Sequence, residues 1–117
     1  MDRIFRRGQV WWVDCTSNVG HEQKGVRRPA IIVSNNKCNK NSAVVEVVYL
    51  TTKAKKPLPT HACVYAHVPS IALCEMVDSV DKSRIYGHSP IATIYSDEME
   101  KVDNALKISL GLEGGKE

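Results

Sequence analysis

The sequence predicts an α+β fold that is mainly β: a small, strongly curved sheet or barrel followed by one carboxyl-terminal helix. About six short segments rich in β-branched and aromatic residues alternate with clusters of Gly, Pro, Asn and Asp, which is typical of strands joined by turns. Only the last part of the chain has apolar residues at helical spacing. At 117 residues the chain is long enough for one hydrophobic core, so we expect a single domain over residues 1–117.

The first two strands are predicted at residues 8–15 and 29–34. In the first, Trp11 and Trp12 are adjacent and must point to opposite faces, so we expect one in the core and the other partly exposed. The second is apolar throughout, as in a strand buried on both faces. The polar residues 35–42 form a dense turn cluster.

Residues 43–50 form the strongest predicted strand, and Thr51 and Thr52 stand at its exit. A basic loop interrupted by prolines follows at residues 53–59. Further strands are predicted at residues 61–68, 71–80 and 91–94, with turns at residues 69–70 and 81–84.

The helix is predicted to begin with Ser96 as its N-cap, with acidic residues in the first turn near the positive end of the helix dipole. It is predicted to end at Gly111. Its apolar stripe should pack on the sheet and consists of Met99, Val102, Leu106 and Leu110.

Composition indicates a soluble cytoplasmic protein. The sequence contains no run of 18 apolar residues, and the charged amino terminus is not followed by the apolar core of a signal peptide. The four cysteines are far apart and form no C-x-x-C pair, which argues for reduced thiols and against a structural zinc site.

The net charge of +3 is unevenly distributed along the chain. Residues 1–56 contain eleven basic and four acidic residues, a net charge of +7, whereas the remainder has five basic and nine acidic residues, a net charge of −4. A basic half of this kind suits the docking of a polyanion or an acidic peptide on one face, and a solvated basic surface is the alternative.

A polar segment hinged by glycines, residues 20–29, ends in two arginines that precede a strand. Pro29 biases Arg28 towards an extended backbone, while Gly20 and Gly25 leave the preceding residues mobile. A fixed guanidinium beside a mobile loop suits an anion site. A surface connection is the simpler alternative.

Several motifs, taken in order along nearly the whole chain, resemble the MazF/PemK (Kid) toxin family. They are RGQVWWVD at residues 7–14, GHEQ at 20–23, RPA at 28–30, LTT at 50–52, LPTH at 58–61, LCE at 73–75, DKSR at 81–84 and the terminal helix through ISL at 108–110. The resemblance implies a curved barrel of the CcdB/Kid/MazF type, related to SH3 barrels. It also implies a homodimer that acts as a metal-independent ribonuclease, without a cofactor, and is neutralised by a cognate antitoxin protein.

The resemblance also assigns site residues. The family's catalytic arginine precedes the proline of the second strand and corresponds to Arg28, and its catalytic threonine ends the third strand and corresponds to Thr51. One extra residue before Pro29 gives two adjacent arginines where many relatives have one, so Arg27 stays an alternative. His21 stands where many relatives have serine.

The chemistry of such a site can be argued from the residues themselves. Cleaving RNA without metal needs a base for the 2′-hydroxyl proton, an acid for the departing 5′-oxygen and positive charge for the transition state. Arg28 can supply charge but is a poor base at its usual pKa, and Thr51 can donate a hydrogen bond. His21 and Glu22 are the candidates for moving protons, with the general base left open. The residues expected to contact RNA are Gln23, Arg27, Thr52, Lys53 and Lys55.

Two functions follow from this sequence. The first is a sequence-selective endoribonuclease toxin that cleaves single-stranded RNA and leaves a 2′,3′-cyclic phosphate and a 5′-hydroxyl, as the resemblance implies. The alternative is a non-catalytic module of the same fold that docks a protein target or binds nucleic acid. The presence of both Arg28 and Thr51 favours the enzyme, since a simple binder has no need of both.

Overall fold

One antiparallel sheet forms the body of the protein, and a long helix packs on it. The computed structural model describes residues 3–15 and 26–116. The strands within these ranges are β1 (Gln9–Asp14), β2 (Arg27–Ile32), β3 (Val44–Thr51), β4 (His61–Tyr65), β5 (Pro69–Asp81), β6 (Ile85–Tyr86) and β7 (Ala92–Thr93). The helices are α1 (Asn36–Asn41), a single 3-10 turn (Lys82–Arg84) and α2 (Ser96–Leu110).

The sheet has the strand order β4-β5-β3-β2-β1-β6, and β7 pairs with β1 as well. The 13 residues of β5 allow it to pair with both β3 and β4. The pairing of β3 with β5 shifts register between Val48 and Leu50, and a bulge of this kind increases the local twist. The sheet therefore curls into a half-barrel, which confirms the predicted fold class.

Hydrophobic clusters cover both faces of the sheet because side chains alternate along each strand. One cluster lies between the sheet and α2 and includes Val10, Ile31, Val48, Leu50, Cys74, Met99, Val102 and Ala105. The second lies on the other face and includes Phe5, Trp11, Val13, Ala30, Ile32, Val47, Tyr49 and Ile85. Trp11 is buried and Trp12 is 41% exposed, so the prediction that they point to opposite faces is confirmed.

The helix α2 has the predicted span, but its start differs from the prediction. Tyr95 is the N-cap and Ser96 is the first helical residue, and no side chain caps the helix. Met99 and Val102 are buried as predicted, whereas Leu110 is exposed. The helix ends at Gly111, whose φ of 70° is left-handed and whose N–H donates to the carbonyl oxygen of Ile108 at 3.2 Å.

Two local predictions were wrong, and one short strand was missed. The turn cluster at residues 35–42 contains the six-residue helix α1, because the Asn35 side chain accepts a hydrogen bond from the Cys38 amide at 2.8 Å and caps it. The turn predicted at residues 69–70 lies earlier, where His67 has a positive φ of 65°, and Pro69 begins β5. The two-residue strand β6 was not predicted.

No helix in the described part of the chain is long and apolar enough to cross a membrane. Across residues 3–15 and 26–116, no group of three or more His, Cys, Asp or Glu side chains is arranged to hold a metal ion. The four cysteines are free thiols. Burial raises the pKa of the Cys74 thiol to about 12, so this cysteine is an unreactive core residue.

Candidate active site

The fold brings Arg28 and Thr51 together at one end of the sheet. The pairing of β2 with β3 runs from Ile32 opposite Val47 to Ala30 opposite Tyr49. Two further steps in the same register would place Arg28 opposite Thr51. Both residues also share the sheet face of Ala30 and Tyr49, because side chains two apart on a strand point the same way.

A groove of about 500 Å³ opens where these strand ends separate. It is lined by Trp12, Arg28, Pro29, Leu50, Thr51, Thr52, Lys53, Lys55, Leu73 and Met76. Three of the lining side chains are cationic and none is a carboxylate, so the described wall of the groove favours an anion. Trp12 and Met76 give it an apolar side that is partly exposed.

The two adjacent arginines lie in different environments. Arg28 is half-buried in the groove, and its guanidinium carbon lies 5.0 Å from the centre of the Tyr49 ring. Arg27 is exposed, is not among the residues that line the groove, and stacks on Tyr86 with its guanidinium carbon 3.4 Å from the ring centre. The alternation of side chains along β2 turns the two arginines to opposite faces. Because Arg28 lines the groove and Arg27 stacks on Tyr86 instead, geometry favours Arg28 as the arginine of the groove.

Tyr49 forms a supported platform beneath Arg28. Its hydroxyl donates a hydrogen bond to Oδ2 of Asp78 at 2.6 Å, and the Sγ of Cys15 lies 3.9 Å from the same hydroxyl. Burial, followed by the hydrogen bond to Asp78, raises the pKa of Tyr49 well above its usual value. The phenol therefore stays protonated and remains a donor, which fixes the ring that faces the guanidinium.

Thr51 is held at the exit of β3 by the turn that follows. Its Oγ1 accepts a hydrogen bond from the Lys53 amide at 3.1 Å. A hydroxyl that accepts one hydrogen bond still has its own proton to donate. Thr51 can therefore donate to a phosphate oxygen bound beside Arg28.

The remaining predicted residues divide into two groups. Thr52, Lys53 and Lys55 are exposed and line the groove. The other predicted positions, His21, Glu22 and Gln23, lie outside the described residues. Cys15 and Val26, which flank the undescribed segment, are joined by a hydrogen bond of 2.8 Å from the Cys15 amide to the Val26 carbonyl oxygen.

Sequence reasoning missed Tyr49 as part of the site. It also missed Asp78, which lies within β5, opposite Val47, and supports Tyr49. The strand pattern does place Tyr49 two residues before Thr51 on the same face, which is a signal for their proximity. The link to Asp78 needed the β3–β5 register, which the sequence does not reveal.

His61 belongs to a separate polar cluster on β4 and β5. Its Nε2 lies 3.0 Å from Oε2 of Glu75, whose other oxygen accepts from the Thr60 hydroxyl at 3.0 Å. Burial raises the pKa of Glu75, but hydrogen bonds from its own backbone amide, His61 and Thr60 outweigh it and leave the pKa below its usual value. These residues do not line the groove of Arg28, so we give them a structural role.

Comparison with known proteins identifies the family and the fold of the chain. Residues 6–110 match the model of the family described as PemK-like, MazF-like toxin of type II toxin–antitoxin systems. The chain is 36% identical to endoribonuclease EndoA of Bacillus subtilis (strain 168), and the match covers 93% of this chain and 97% of the relative.

Two solved structures have the same fold along almost their whole length. A mycobacterial endoribonuclease in complex with its cognate antitoxin superposes with a TM-score of 0.76 at 26% identity, covering 92% of this chain and 95% of the other. MazF of Deinococcus radiodurans superposes with a TM-score of 0.76 at 27% identity, covering 95% and 100%. The family match, the EndoA relative and the shared fold together confirm the resemblance read from the motifs, and the chain belongs to the PemK/MazF toxin family.

Proposed function

We propose that this protein is the toxin of a toxin–antitoxin pair and acts as a sequence-selective, metal-independent endoribonuclease on single-stranded RNA. One observation carries the proposal: Arg28 and Thr51 line one cationic groove in a chain of the PemK/MazF family. An endoribonuclease is also what the 36% identical EndoA relative is named. The whole chain works as one toxin domain.

The proposed reaction is an internal transesterification at the phosphate, which releases the downstream RNA fragment. The 2′-hydroxyl oxygen attacks the phosphorus, the bond from phosphorus to the 5′-oxygen breaks, and the products are a 2′,3′-cyclic phosphate and a 5′-hydroxyl. The 2′-hydroxyl loses one proton to a base, and the 5′-oxygen gains one from an acid. Arg28 grips the non-bridging oxygens and stabilises their growing charge, and Thr51 donates a hydrogen bond to the same phosphate.

His21 and Glu22 are the proposed carriers of these protons. Arg28 is unsuited to the task because a guanidinium stays protonated at neutral pH. An imidazole titrates in the useful range, whereas a carboxylate at position 22 serves either as the base or as an ion-pair partner of Arg27.

Substrate contacts are proposed along the rest of the groove. Lys53 and Lys55 meet the phosphates on either side of the cleaved bond, and Thr52 and Gln23 offer polar contacts to the bases. The exposed indole of Trp12 offers a surface on which a base can stack.

The proposed partners are a cognate antitoxin and a second copy of this chain. The mycobacterial structure contains an endoribonuclease with its cognate antitoxin, and the corresponding antitoxin here should place an acidic segment over the basic first half of the chain. Such a toxin acts on cytoplasmic RNA as a homodimer.

Incubation of purified protein with a mixed RNA in excess EDTA tests the activity. We expect cleavage to proceed, with 5′ fragments whose mass shows a cyclic phosphate at their 3′ ends and 3′ fragments that begin with a 5′-hydroxyl. The rate should fall at least about tenfold in Thr51→Val, which keeps the shape but removes the hydroxyl. Absence of cleavage by the unaltered protein in EDTA would contradict a metal-independent reaction. Absence of cleavage with Mg²⁺ present as well would leave the non-catalytic binding module as the function.

A further inference from the structure

A second cleft lies at the opposite end of the β2–β3 pair from Arg28 and Thr51. It has a volume of about 570 Å³ and lies between the amino-terminal segment, α1 and the 3-10 turn. Its walls are Arg3, Ile4, Phe5, Arg6, Asn36, Lys37, Asn39, Lys40 and Lys82.

The charge of this second cleft is entirely positive on its described walls. Five of the lining residues are basic and none is acidic. The ion pairs found within residues 3–15 and 26–116 are Arg7 with Asp103 and His61 with Glu75, so no cation of the cleft is neutralised by them. A concave cluster of unneutralised cations raises the local concentration of a polyanion.

The floor of the second cleft is held by hydrogen bonds, whereas its outer cations are exposed. Arg3 donates to the carbonyl oxygens of Ile85, Gly87 and Lys82, the last two at 3.1 Å. Asn39 is buried and donates to the Ser34 carbonyl oxygen at 2.9 Å. In contrast, Arg6, Lys37 and Lys40 are exposed, so the concavity presents solvent-accessible cations at its rim.

The second cleft is distinct from the groove of Arg28. Within β2 alone, the extended chain from Arg28 to Ile32 spans roughly 13 Å, and the cleft residues of α1 begin four residues further along the chain, at Asn36. A single phosphate cannot touch both sites, whereas one continuous strand of nucleic acid can.

We propose that the second cleft binds the phosphate backbone of single-stranded RNA and anchors a substrate that extends beyond the cleavage groove. The choice of RNA rests on the proposed function, since an RNA substrate is a polyanion longer than that groove. Lysines around a concavity suit phosphates, which need charge and no apolar anchor. An acidic peptide usually needs a buried apolar anchor as well. Of the two apolar side chains of the described walls, Phe5 is already buried in the core and Ile4 is 66% exposed, so neither offers an enclosed apolar contact.

The salt dependence of RNA binding tests the cleft independently of cleavage. The probe is a mixed-sequence 40-nucleotide RNA with 2′-O-methyl groups, which cannot be cut. Its binding to the protein is measured by fluorescence anisotropy over a range of salt concentrations. The variant combines Lys37→Gln, Lys40→Gln and Lys82→Gln. It should weaken binding at low salt and reduce the slope of log affinity against log salt by about 2, since each phosphate contact contributes about 0.7.

The matched control combines Lys101→Gln, Lys107→Gln and Lys116→Gln, which removes the same charge from exposed positions on and after α2. Its slope should stay close to that of the unaltered protein. Lys37→Gln with Lys40→Gln alone changes only exposed side chains and should reduce the slope by about 1.4, so the test does not depend on the folding of the triple variant.

Three results would overturn the second cleft as an RNA site. The first is an unchanged salt dependence of RNA binding in both cleft variants. The second is an equal reduction of that salt dependence in the control variant. The third is tighter binding of a polyglutamate peptide than of the RNA probe. The probe cannot be cut, so the binding measurement can be interpreted even if the protein fails to cleave RNA in EDTA. If the second cleft proves not to bind RNA, the cleavage assay still tests the role of Arg28.

Discussion

At the scale of single residues, the surroundings of Arg28 decide what it can do. Its guanidinium lies 5.0 Å from the Tyr49 ring, and Tyr49 is in turn held by Asp78 through a hydrogen bond of 2.6 Å. A cation held over a ring that is itself fixed has fewer orientations to lose when it binds phosphate. Tyr49 is thus a positioning residue for the proposed reaction.

Replacing Tyr49 separates its ring from its hydroxyl. Tyr49→Leu removes the aromatic face and should lower the single-turnover rate of RNA cleavage about five- to tenfold, the equivalent of about 1 kcal/mol of cation–π interaction. Tyr49→Phe keeps the face and should retain most of the rate, although it loses the hydrogen bond to Asp78.

The control for Tyr49 is Val47→Ala, which destabilises the same strand without touching Arg28. If cleavage rates merely follow the melting temperatures of the three variants, Tyr49 has only a structural role. Equal losses in Tyr49→Phe and Tyr49→Leu would also contradict positioning by the ring.

At the scale of elements, the helix terminus shows how one residue sets the limit of α2. Gly111 has a φ of 70°, and a Cβ built on it would meet no atom within 4 Å. The requirement for glycine is therefore conformational and not steric. The Gly111 and Leu112 amides donate to the carbonyl oxygens of Ile108 and Lys107, which would otherwise lack partners.

Gly111→Ala should lower the free energy of unfolding by roughly 1 kcal/mol, because alanine is strained in the left-handed region. Gly111→Asn should cost less, since asparagine tolerates that conformation. Chemical denaturation measures both. An alanine variant as stable as the unaltered protein would show that the helix end adapts.

Strands and the main helix could be predicted because their patterns are local. The alternation around Trp11 and Trp12 and the apolar spacing of Met99 and Val102 depend only on neighbouring residues, and the structure confirms them. The helix α1 was missed because its six residues are polar and rely on the Asn35 cap. The strand β6 was missed because two residues are too few to show an alternating pattern, and they form a strand only by pairing with β1.

At the scale of the whole molecule, strand pairing explains which site residues could be foreseen. The motif match predicted the family and, through Pro29, the importance of Arg28. The sequence left Arg27 open, since nothing local distinguishes two adjacent arginines. The alternation of β2 separates them, because one faces the groove and the other stacks on Tyr86 of β6. The contribution of Asp78 depended on long-range register and could not be foreseen.

The overall charge distribution gives this molecule two cationic concavities at opposite ends of the β2–β3 pair. One contains Arg28, Lys53 and Lys55, and the other is the second cleft with Lys37 and Lys40. Their separation should allow the proposed catalysis and the proposed substrate anchoring to be changed independently.

The most direct test of the central claim compares Arg28→Ala with Arg27→Ala. Each substitution removes one guanidinium from β2, so the two variants have the same net charge. They differ in which face of the sheet loses the side chain. The measurement is the single-turnover rate of RNA cleavage in EDTA, made on variants with similar melting temperatures. We predict a loss of about a hundredfold or more for Arg28→Ala and less than about fivefold for Arg27→Ala. Equal losses, or a larger loss for Arg27→Ala, would contradict the assignment of Arg28 as the catalytic arginine.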